Sequence, residues 1–239
     1  MSESLRKILG RNRLFRGLPD AIIERVAEFA VRRSFRRDER VFSQGDEGNA
    51  LYCVVSGRVR IGAMAAGGKE VFLNIMEPDD SFGEIAVIDG LPRTAGAVAM
   101  ERTDLVAIWR SDLLELLRSE PELAIHLLKL ACQRIRWASG LVEESAFLSP
   151  AARLATRLLN LAMLHGRRSS AGIELRISQS ELAKFLGVSR QYVNEKLNAW
   201  KAEGWVSLTY GKLIIIEAEA LRTAAASEAD PESESASSA

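Results

Sequence analysis

The chain of 239 residues is poor in the side chains that most often bind metals or act as nucleophiles. It has two cysteines and two histidines, and neither Cys53 and Cys132 nor His126 and His165 suggest a metal-ligand spacing, a disulfide framework or a haem site. A metal site in a β-barrel enzyme needs clustered histidines and carboxylates, and no histidine precedes His126. No Ser/His/Asp or Cys/His arrangement is evident, so we expect no enzyme, no catalytic residue and no metal.

A long apolar run is also lacking. No run approaches the length of about 18 residues that a membrane span needs, so we expect no membrane partner. The N-terminal segment, MSESLRKILGRNRLF, is charged and lacks the apolar core of a signal peptide, which predicts a cytoplasmic protein. With 47% hydrophobic and 27% charged residues, the composition is that of a globular protein long enough for two domains.

Net charge is zero overall, but it is unevenly distributed. Residues 150–222 have 11 lysines and arginines against 6 acidic residues, whereas residues 223–239 have four acidic residues and no basic ones. The basic segment has the sign that contact with phosphates requires. Each of its charges taken singly could equally belong to a solvated surface.

The first half of the chain changes from a helical to a strand-like pattern. Residues 12–32 have helical periodicity, and Pro19 suits the first turn of that helix. From about Val41 short apolar runs follow one another, separated by glycine and aspartate, and they predict an all-β barrel or a double-sheet jelly roll. Residues 111–118, SDLLELLR, then predict a short helix. The apolar runs are RVFSQGD, ALYCVVSGRVRIGAM, KEVFLNIM, GAVAM and DLVAIW.

A long helix is predicted from about Pro121 to Phe147. Within it an apolar seam repeats with spacings of three and four residues, which is typical of a short coiled coil. We therefore expect a homodimer through residues 128–142. The alternative is a helix that packs only against the β domain. The seam consists of Leu128, Ala131, Ile135, Ala138 and Val142.

Residues 178–200, SQSELAKFLGVSRQYVNEKLNAW, predict two short helices joined by a tight turn at Gly187. Ser178 and Glu181 have the spacing of a capping box at the start of the first helix. Ser189 suits the cap of the second, whose outer face then presents polar side chains near its N-terminus, where a recognition helix enters the major groove. The alternative is an ordinary helical hairpin with a solvated face. These outer residues are Arg190, Gln191, Asn194 and Glu195.

The segment after the two helices, WVSLTYGKLIIIEA, predicts a β-hairpin with Tyr210, Gly211 and Lys212 at its turn, consistent with a wing. The last segment, residues 223–239, is small, polar and acidic, and we expect it to be disordered.

The β region contains a segment suited to a sugar phosphate, SFGEIAVIDGLPRTAGAVA, residues 81–99. Arg93 can donate to a phosphate through two N–H groups, and amides near Gly83 favour an anion. Glu84 can accept from a ribose hydroxyl, and Thr94 can donate to a phosphate oxygen. The alternative is an ion pair between Arg93 and Glu84 that braces an empty barrel.

Four motifs occur in the order found in the Crp/Fnr superfamily of bacterial transcription regulators, and the chain resembles that family from about Leu14 to Arg222. The resemblance implies an α+β fold with a cyclic-nucleotide-binding β-barrel (jelly roll), a dimerisation helix and a winged helix-turn-helix. The corresponding segments are residues 1–120, 121–147 and 148–222, followed by the acidic tail 223–239. The motifs are VFSQGDEGNALYCVVSGRVRI, FGEIAVIDGLPRTA, AFLSPAARLATRLLNLA and SQSELAKFLGVSRQYVNEKL.

The resemblance also implies a ligand. In nucleotide-binding members, the positions matching Gly83, Glu84, Arg93 and Thr94 hold the cyclic phosphate and ribose, and Ala95 completes the motif. The implied effector is cyclic AMP or cyclic GMP, and no other cofactor is expected. The alternative is a family member with a silent pocket or a different effector, which binds DNA without cyclic nucleotide.

The residues implied for the base of the nucleotide match only in part. Two hydroxyl residues of the dimer helix hold the base in the cyclic-AMP-binding members, and they match Ala138 and Ser139. Ser139 keeps the hydroxyl, but alanine replaces threonine at position 138, which removes a hydrogen-bond partner worth roughly 0.5–1.5 kcal/mol. The oxygen-sensing branch of the family resembles proteins that bind a cluster through several N-terminal cysteines. The present chain has no cysteine before Cys53.

For DNA, the resemblance implies a two-fold-symmetric operator with half-sites about one helical turn apart. Arg190 contacts a guanine in this scheme, and Ser189 contacts a phosphate while it caps the helix. Gln191 prefers adenine, whereas Glu195 accepts only from a cytosine amino group or turns away. Candidate phosphate contacts are Lys184, Lys196, Lys201 and Lys212, and by family analogy RNA polymerase is a candidate partner of the loop 165–172.

Overall fold

The computed structural model describes residues 4–64, 70–209 and 212–226. The chain divides into two compact units, Met1–Arg136 and Trp137–Ala239, and each unit has its own apolar core.

Two short helices begin the N-terminal unit, α1 (Leu5–Arg11) and α2 (Asp20–Glu28). The sequence pattern did not predict α1, and the predicted helix over 12–32 is too long at both ends. Gly17 has a left-handed backbone (φ 90°) that interrupts the chain before α2, and Pro19 is the N-cap of α2 rather than part of its first turn. The chain enters a strand soon after α2 ends.

The β region forms two antiparallel four-stranded sheets, which is the double-sheet form of the predicted architecture. The strand orders are β1-β8-β3-β6 and β2-β7-β4-β5. Alternate residues of the strands point inward and form an aromatic and aliphatic core. The strands are β1 (Ala30–Phe35), β2 (Arg40–Phe42), β3 (Ala50–Ser56), β4 (Val59–Met64), β5 (Glu70–Met76), β6 (Ser81–Phe82), β7 (Gly96–Ala99) and β8 (Thr103–Trp109).

Three helices accompany these sheets: α3 (Glu84–Asp89), α4 (Arg110–Ser119) and α5 (Pro121–Phe147). The last two agree closely with the helices predicted from apolar periodicity. Helix α5 buries Leu123 and Leu127 near its start. Most of its predicted seam faces solvent in the single chain.

The exposed side chains of α5 form an apolar stripe. Leu128, Ile135 and Val142 are 64%, 65% and 69% exposed, and they are seven residues apart. Ile125 is also exposed, whereas Ala131 of the predicted seam is partly buried. The seven-residue repeat on an exposed face agrees with the predicted seam, and the dimer itself stays a prediction.

Besides the end of α5, the described residues of the C-terminal unit form four helices and a four-stranded sheet with the order β11-β12-β10-β9. A core of leucines and Trp200 lies beneath the two predicted helices. The expected loop 165–172 is largely a short hairpin. The elements are α6 (Pro150–His165), β9 (Arg167–Ser169), β10 (Gly172–Leu175), α7 (Gln179–Leu186), α8 (Arg190–Ala202), β11 (Val206–Thr209), β12 (Lys212–Ile215) and α9 (Ala218–Ala225).

The predicted hairpin after the two helices is confirmed by the pairing of β11 with β12. Its turn residues, Tyr210 and Gly211, lie outside the described residues. Helix α9 extends through Ala225, so the first residues of the segment 223–239 are helical rather than disordered. Residues 227–239 lie outside the described part of the chain.

Candidate functional site

Gly83 begins α3 in a backbone conformation that residues with a side chain rarely adopt (φ 85°). A Cβ atom at this position would lie 2.7 Å from Nη1 of Arg93. The backbone conformation therefore favours glycine, and a side chain at this position would require the guanidinium of Arg93 to shift. The structure brings Gly83 and Arg93 into direct contact, although ten residues separate them.

Arg93 is buried, with 3% of its surface exposed. Its Nη1 donates to the main-chain oxygen of Gly83 at 2.6 Å, and its Nη2 donates to that of Ala50 at 2.7 Å. The Cζ atom lies 4.1 Å from the ring centroid of Phe42. The buried Nε has no hydrogen-bond partner among the described residues. A guanidinium has five N–H groups, so three of them remain without an acceptor in the described part of the chain.

The charge of Arg93 is not neutralised by a bonded carboxylate among the described residues. Burial lowers the pKa of Arg93, and the nearby Tyr52, Glu84 and Asp46 oppose that shift. Arginine nevertheless stays protonated in proteins. A buried cation with unsatisfied donors is costly, and an anion that enters the site would remove part of this cost.

Glu84 is paired with a residue that the sequence analysis did not single out. Its Oε1 lies 3.5 Å from Nε of Arg134 on α5, and Glu84 is 4% exposed. Arg134 also donates to the main-chain oxygen of Ser81 at 2.9 Å. No ion pair joins the described Arg93 and Glu84, so the alternative in which these two residues brace the barrel lacks its ion pair, whereas the empty barrel itself stays a prediction. An arginine on an amphipathic helix is usually a surface charge, so the local pattern gave no signal for Arg134.

The other residues predicted for the ligand have different surroundings. Thr94 is exposed and Ala95 is buried. Ser139 and Ala138 are exposed on the part of α5 that belongs to the C-terminal unit. Within the N-terminal unit, the structure thus brings together Gly83, Glu84 and Arg93 but leaves Thr94 at the surface.

Cys53 and His126 have structural surroundings, whereas Cys132 is exposed. Cys53 is fully buried, and burial raises the pKa of its thiol to about 12, so the thiolate is not populated at neutral pH. The Nδ1 of His126 lies 3.0 Å from the main-chain oxygen of Leu14. Among the described residues, no group of histidine, cysteine and carboxylate side chains could hold a metal ion. None of the helices in the described part of the chain is long and apolar enough to cross a membrane.

The start of the second C-terminal helix is built as the sequence predicts. The hydroxyl of Ser189 accepts from the amide of Tyr192 at 3.1 Å, which caps α8. Val193 and Leu197 are buried on the inner side. The capping box of α7 is also present. All five residues predicted to contact DNA are exposed, namely Ser189, Arg190, Gln191, Asn194 and Glu195.

Two polar pairs lie on the outer face of α8. The side-chain amide of Gln191 donates to Oε1 of Glu195 at 2.9 Å. One turn further on, the amide of Asn198 donates to that of Asn194 at 3.2 Å. Both pairs have the four-residue spacing that places side chains next to each other on a helix.

A cleft of about 350 Å³ lies beside α8. Arg190, the start of α7 at Ser178 and Lys212 at the start of β12 line it. The Nζ of Lys212 lies 3.0 Å from Oε1 of Glu174. Hydrogen bonding from Lys212 lowers the pKa of Glu174. Lys212 is thus paired with Glu174, and Arg190 lines the same cleft.

Comparisons with known proteins agree with the division of the chain into an N-terminal and a C-terminal unit. Residues 32–120 match the cyclic nucleotide-binding domain family, and residues 152–224 match the Crp-like helix-turn-helix domain family. A CRP-like cAMP-activated global transcriptional regulator of Mycobacterium tuberculosis is 31% identical over 217 residues, which cover 90% of this chain and 97% of the relative. The Cyclic AMP receptor protein of Thermus thermophilus is 36% identical over 208 residues, covering 87% and 94%.

A solved structure supports the fold. The c-di-GMP responsive global regulator of Xanthomonas campestris has a TM-score of 0.75 at 24% identity, over 82% of this chain and 99% of that one. Fold, domain matches and relatives together define a DNA-binding regulator with a cyclic nucleotide-binding domain. The chain belongs to the Crp/Fnr family, whose members are transcription regulators rather than enzymes.

Proposed function

We propose that the chain is a dimeric regulator whose binding to an operator is controlled by a cyclic nucleotide held in the N-terminal β domain. The names of two relatives support this effector, since one is described as cAMP-activated and the other as a Cyclic AMP receptor protein. Such a regulator works on bacterial DNA in the cytoplasm, as the sequence predicts.

The observation that carries this proposal is the state of Arg93. It is a buried cation without a bonded carboxylate, and its Nε has no partner, among the residues that the structure describes. The cyclic phosphate would accept from two of the three N–H groups that these residues leave free. Gly83 allows the guanidinium to lie against the start of α3, and Ala95 is buried.

The remaining contacts involve the sugar and the base. Glu84 accepts from a ribose hydroxyl while it stays paired with Arg134, and the exposed Thr94 donates to the phosphate from the solvent side. Ser139 supplies a hydroxyl for the base. Because alanine stands at position 138, a purine amino group has one partner fewer, so cyclic AMP and cyclic GMP differ less in affinity than they would with threonine there.

The output is sequence-specific DNA binding by a pair of chains. The exposed apolar stripe of α5 would form a two-chain coiled coil, which sets the two α8 helices against successive half-sites. Ser189 contacts a phosphate, and Arg190 donates to a guanine. Asn194, Gln191 and Glu195 face the neighbouring base pairs. RNA polymerase is a further partner by family analogy.

Calorimetric titration of the purified full chain with cyclic AMP, cyclic GMP and cyclic di-GMP tests the effector. We expect binding of one or both cyclic mononucleotides, together with tighter binding to DNA selected by the protein. A second candidate function is a regulator with a silent pocket, and it is favoured by the two carbonyls that already hold Arg93. Absence of heat with all three ligands, with unchanged DNA binding, would establish that candidate instead.

A further inference from the structure

The recognition helix presents a side-chain pair whose two members cannot act independently. Gln191 is the second residue of α8, and Glu195 lies one turn further on. Both are exposed on the face opposite the buried Val193 and Leu197. The Nε2 of Gln191 donates to Oε1 of Glu195 at 2.9 Å. This pair lies at the centre of the surface expected to face the base edges.

The hydrogen bond determines what Gln191 can offer to DNA. A primary amide has two N–H groups and one carbonyl oxygen. One N–H of Gln191 is engaged by Glu195, so one N–H and the carbonyl oxygen remain. Adenine presents one acceptor, N7, and one donor, N6, in the major groove, and therefore matches this remainder. Guanine presents two acceptors there, so the fixed carbonyl oxygen would face an acceptor.

The carboxylate has a different task from its neighbour. An ionised Glu195 can only accept hydrogen bonds, and it already accepts one within the helix. Without Glu195, the amide of Gln191 is free to turn and to offer its two N–H groups outward. The carboxylate disfavours this by about 0.2–0.5 kcal/mol, because it holds the nitrogen on the side away from the helix N-terminus.

We propose that Glu195 is a positioning residue that fixes the amide of Gln191, so that Gln191 reads an adenine and Glu195 reads no base of its own. This rests on the proposed function only in that α8 must lie in the major groove. It revises the sequence-based assignment, in which Glu195 accepts from a cytosine or turns away.

The test starts with selection of DNA from a random pool by the full-length chain, with and without cyclic AMP. Binding to the consensus and to its single-base variants is then measured for Q191A, E195A, E195Q and the double variant. E203A, an exposed acid at the other end of α8, is the control for loss of a negative charge.

We expect Q191A to abolish a preference for adenine of about 5- to 150-fold at one position of each half-site. E195A should reduce the preference at that same position by about twofold, the usual effect of a four-residue side-chain pair. E195Q retains an acceptor oxygen and should retain the preference, although it tightens binding to all sequences. The double variant should equal Q191A, because the glutamate acts only through the glutamine. E203A should leave the preference unchanged.

Different results overturn different statements. If E195A changes the preference at another base pair than Q191A, Glu195 reads a base directly and the pairing is refuted. Additive effects in the double variant refute it as well. If the wild-type chain selects no consensus with or without nucleotide, reading of DNA by α8 fails altogether, and the proposed function fails with it.

Discussion

Replacement of Arg93 by methionine separates its two roles, because the stem length is kept while the charge and all donors are lost. Hydrogen bonds from charged donors contribute about 1.5–3 kcal/mol each. A phosphate that accepts two of the three free N–H groups therefore gains about 3–6 kcal/mol from Arg93. R93M should weaken binding of cyclic AMP by about two to four orders of magnitude.

The same substitution should have little effect on folding. The fold loses two bonds to the carbonyls of Gly83 and Ala50, about 3–6 kcal/mol. The substitution also removes an unfavourable contribution of several kcal/mol, namely the cost of burying a cation without a carboxylate partner. Because these contributions oppose each other, the Tm should shift by less than about 8 °C.

Calorimetry gives the affinity, and thermal unfolding gives the Tm. R93K keeps the charge without the fork of donors, and we expect an intermediate loss of about tenfold. R37M, at an exposed arginine paired with Asp38, should bind as the wild type does. If R93M binds within about threefold of a wild type that binds measurably, Arg93 does not hold the phosphate.

Four further substitutions test neighbouring features. G83A places a Cβ atom against Arg93 at φ 85° and should lower both the nucleotide affinity and the free energy of unfolding. The effects should exceed those of G17A, because a Cβ atom at Gly17 is strained by φ 90° alone and has nothing within 4 Å. Equal effects of the two substitutions would show that the contact with Arg93 is irrelevant. I135E should convert the dimer into a monomer in sedimentation equilibrium, whereas K129E on the same helix should not; a dimeric I135E would place the interface elsewhere. S178A removes the capping box and should lower the free energy of unfolding in urea by about 0.5–2 kcal/mol, in contrast to S180A at the second helical position. The Ser34 hydroxyl holds the pKa of Asp104 below its ordinary value of 3.8, so this carboxylate stabilises the fold at neutral pH and the stabilisation is lost as the pH falls below that value. S34A should therefore lower the free energy of unfolding more at about pH 7 than at about pH 3. Equal losses at the two pH values would contradict the assignment.

Local chemistry made much of the fold predictable. The capping box at Ser178, the cap at Ser189 and the apolar periodicity of α4 and α5 depend on residues within one or two turns of each other, and these elements are confirmed. The pattern failed for α1 and for the ends of the predicted helix 12–32. There the chain conformation follows from Gly17 and from packing against distant residues.

The site was predictable to the same extent. The motif around Gly83 and Arg93 was visible in the sequence, and the structure brings the two residues together. Their partners were not visible: Ala50 lies 43 residues before Arg93, and Arg134 lies on a helix far along the chain from Glu84. Contacts of this range depend on how strands and helices pack, which no local pattern contains. The Gln191–Glu195 bond, by contrast, follows from four-residue spacing alone.

The bonds from Arg93 to two main-chain carbonyls have an evolutionary consequence. Most replacements of Arg93 would leave both carbonyls without this donor in a buried site, so position 93 tolerates fewer residues than the exposed position 94. A descendant that lost its effector would retain Arg93 and Gly83 together. A search for nucleotide sensors that used only those two positions would still select it. Thr94, which is exposed and outside the core, is free to drift first. In a lineage that no longer binds the effector, we therefore expect substitutions at position 94 long before substitutions at position 93.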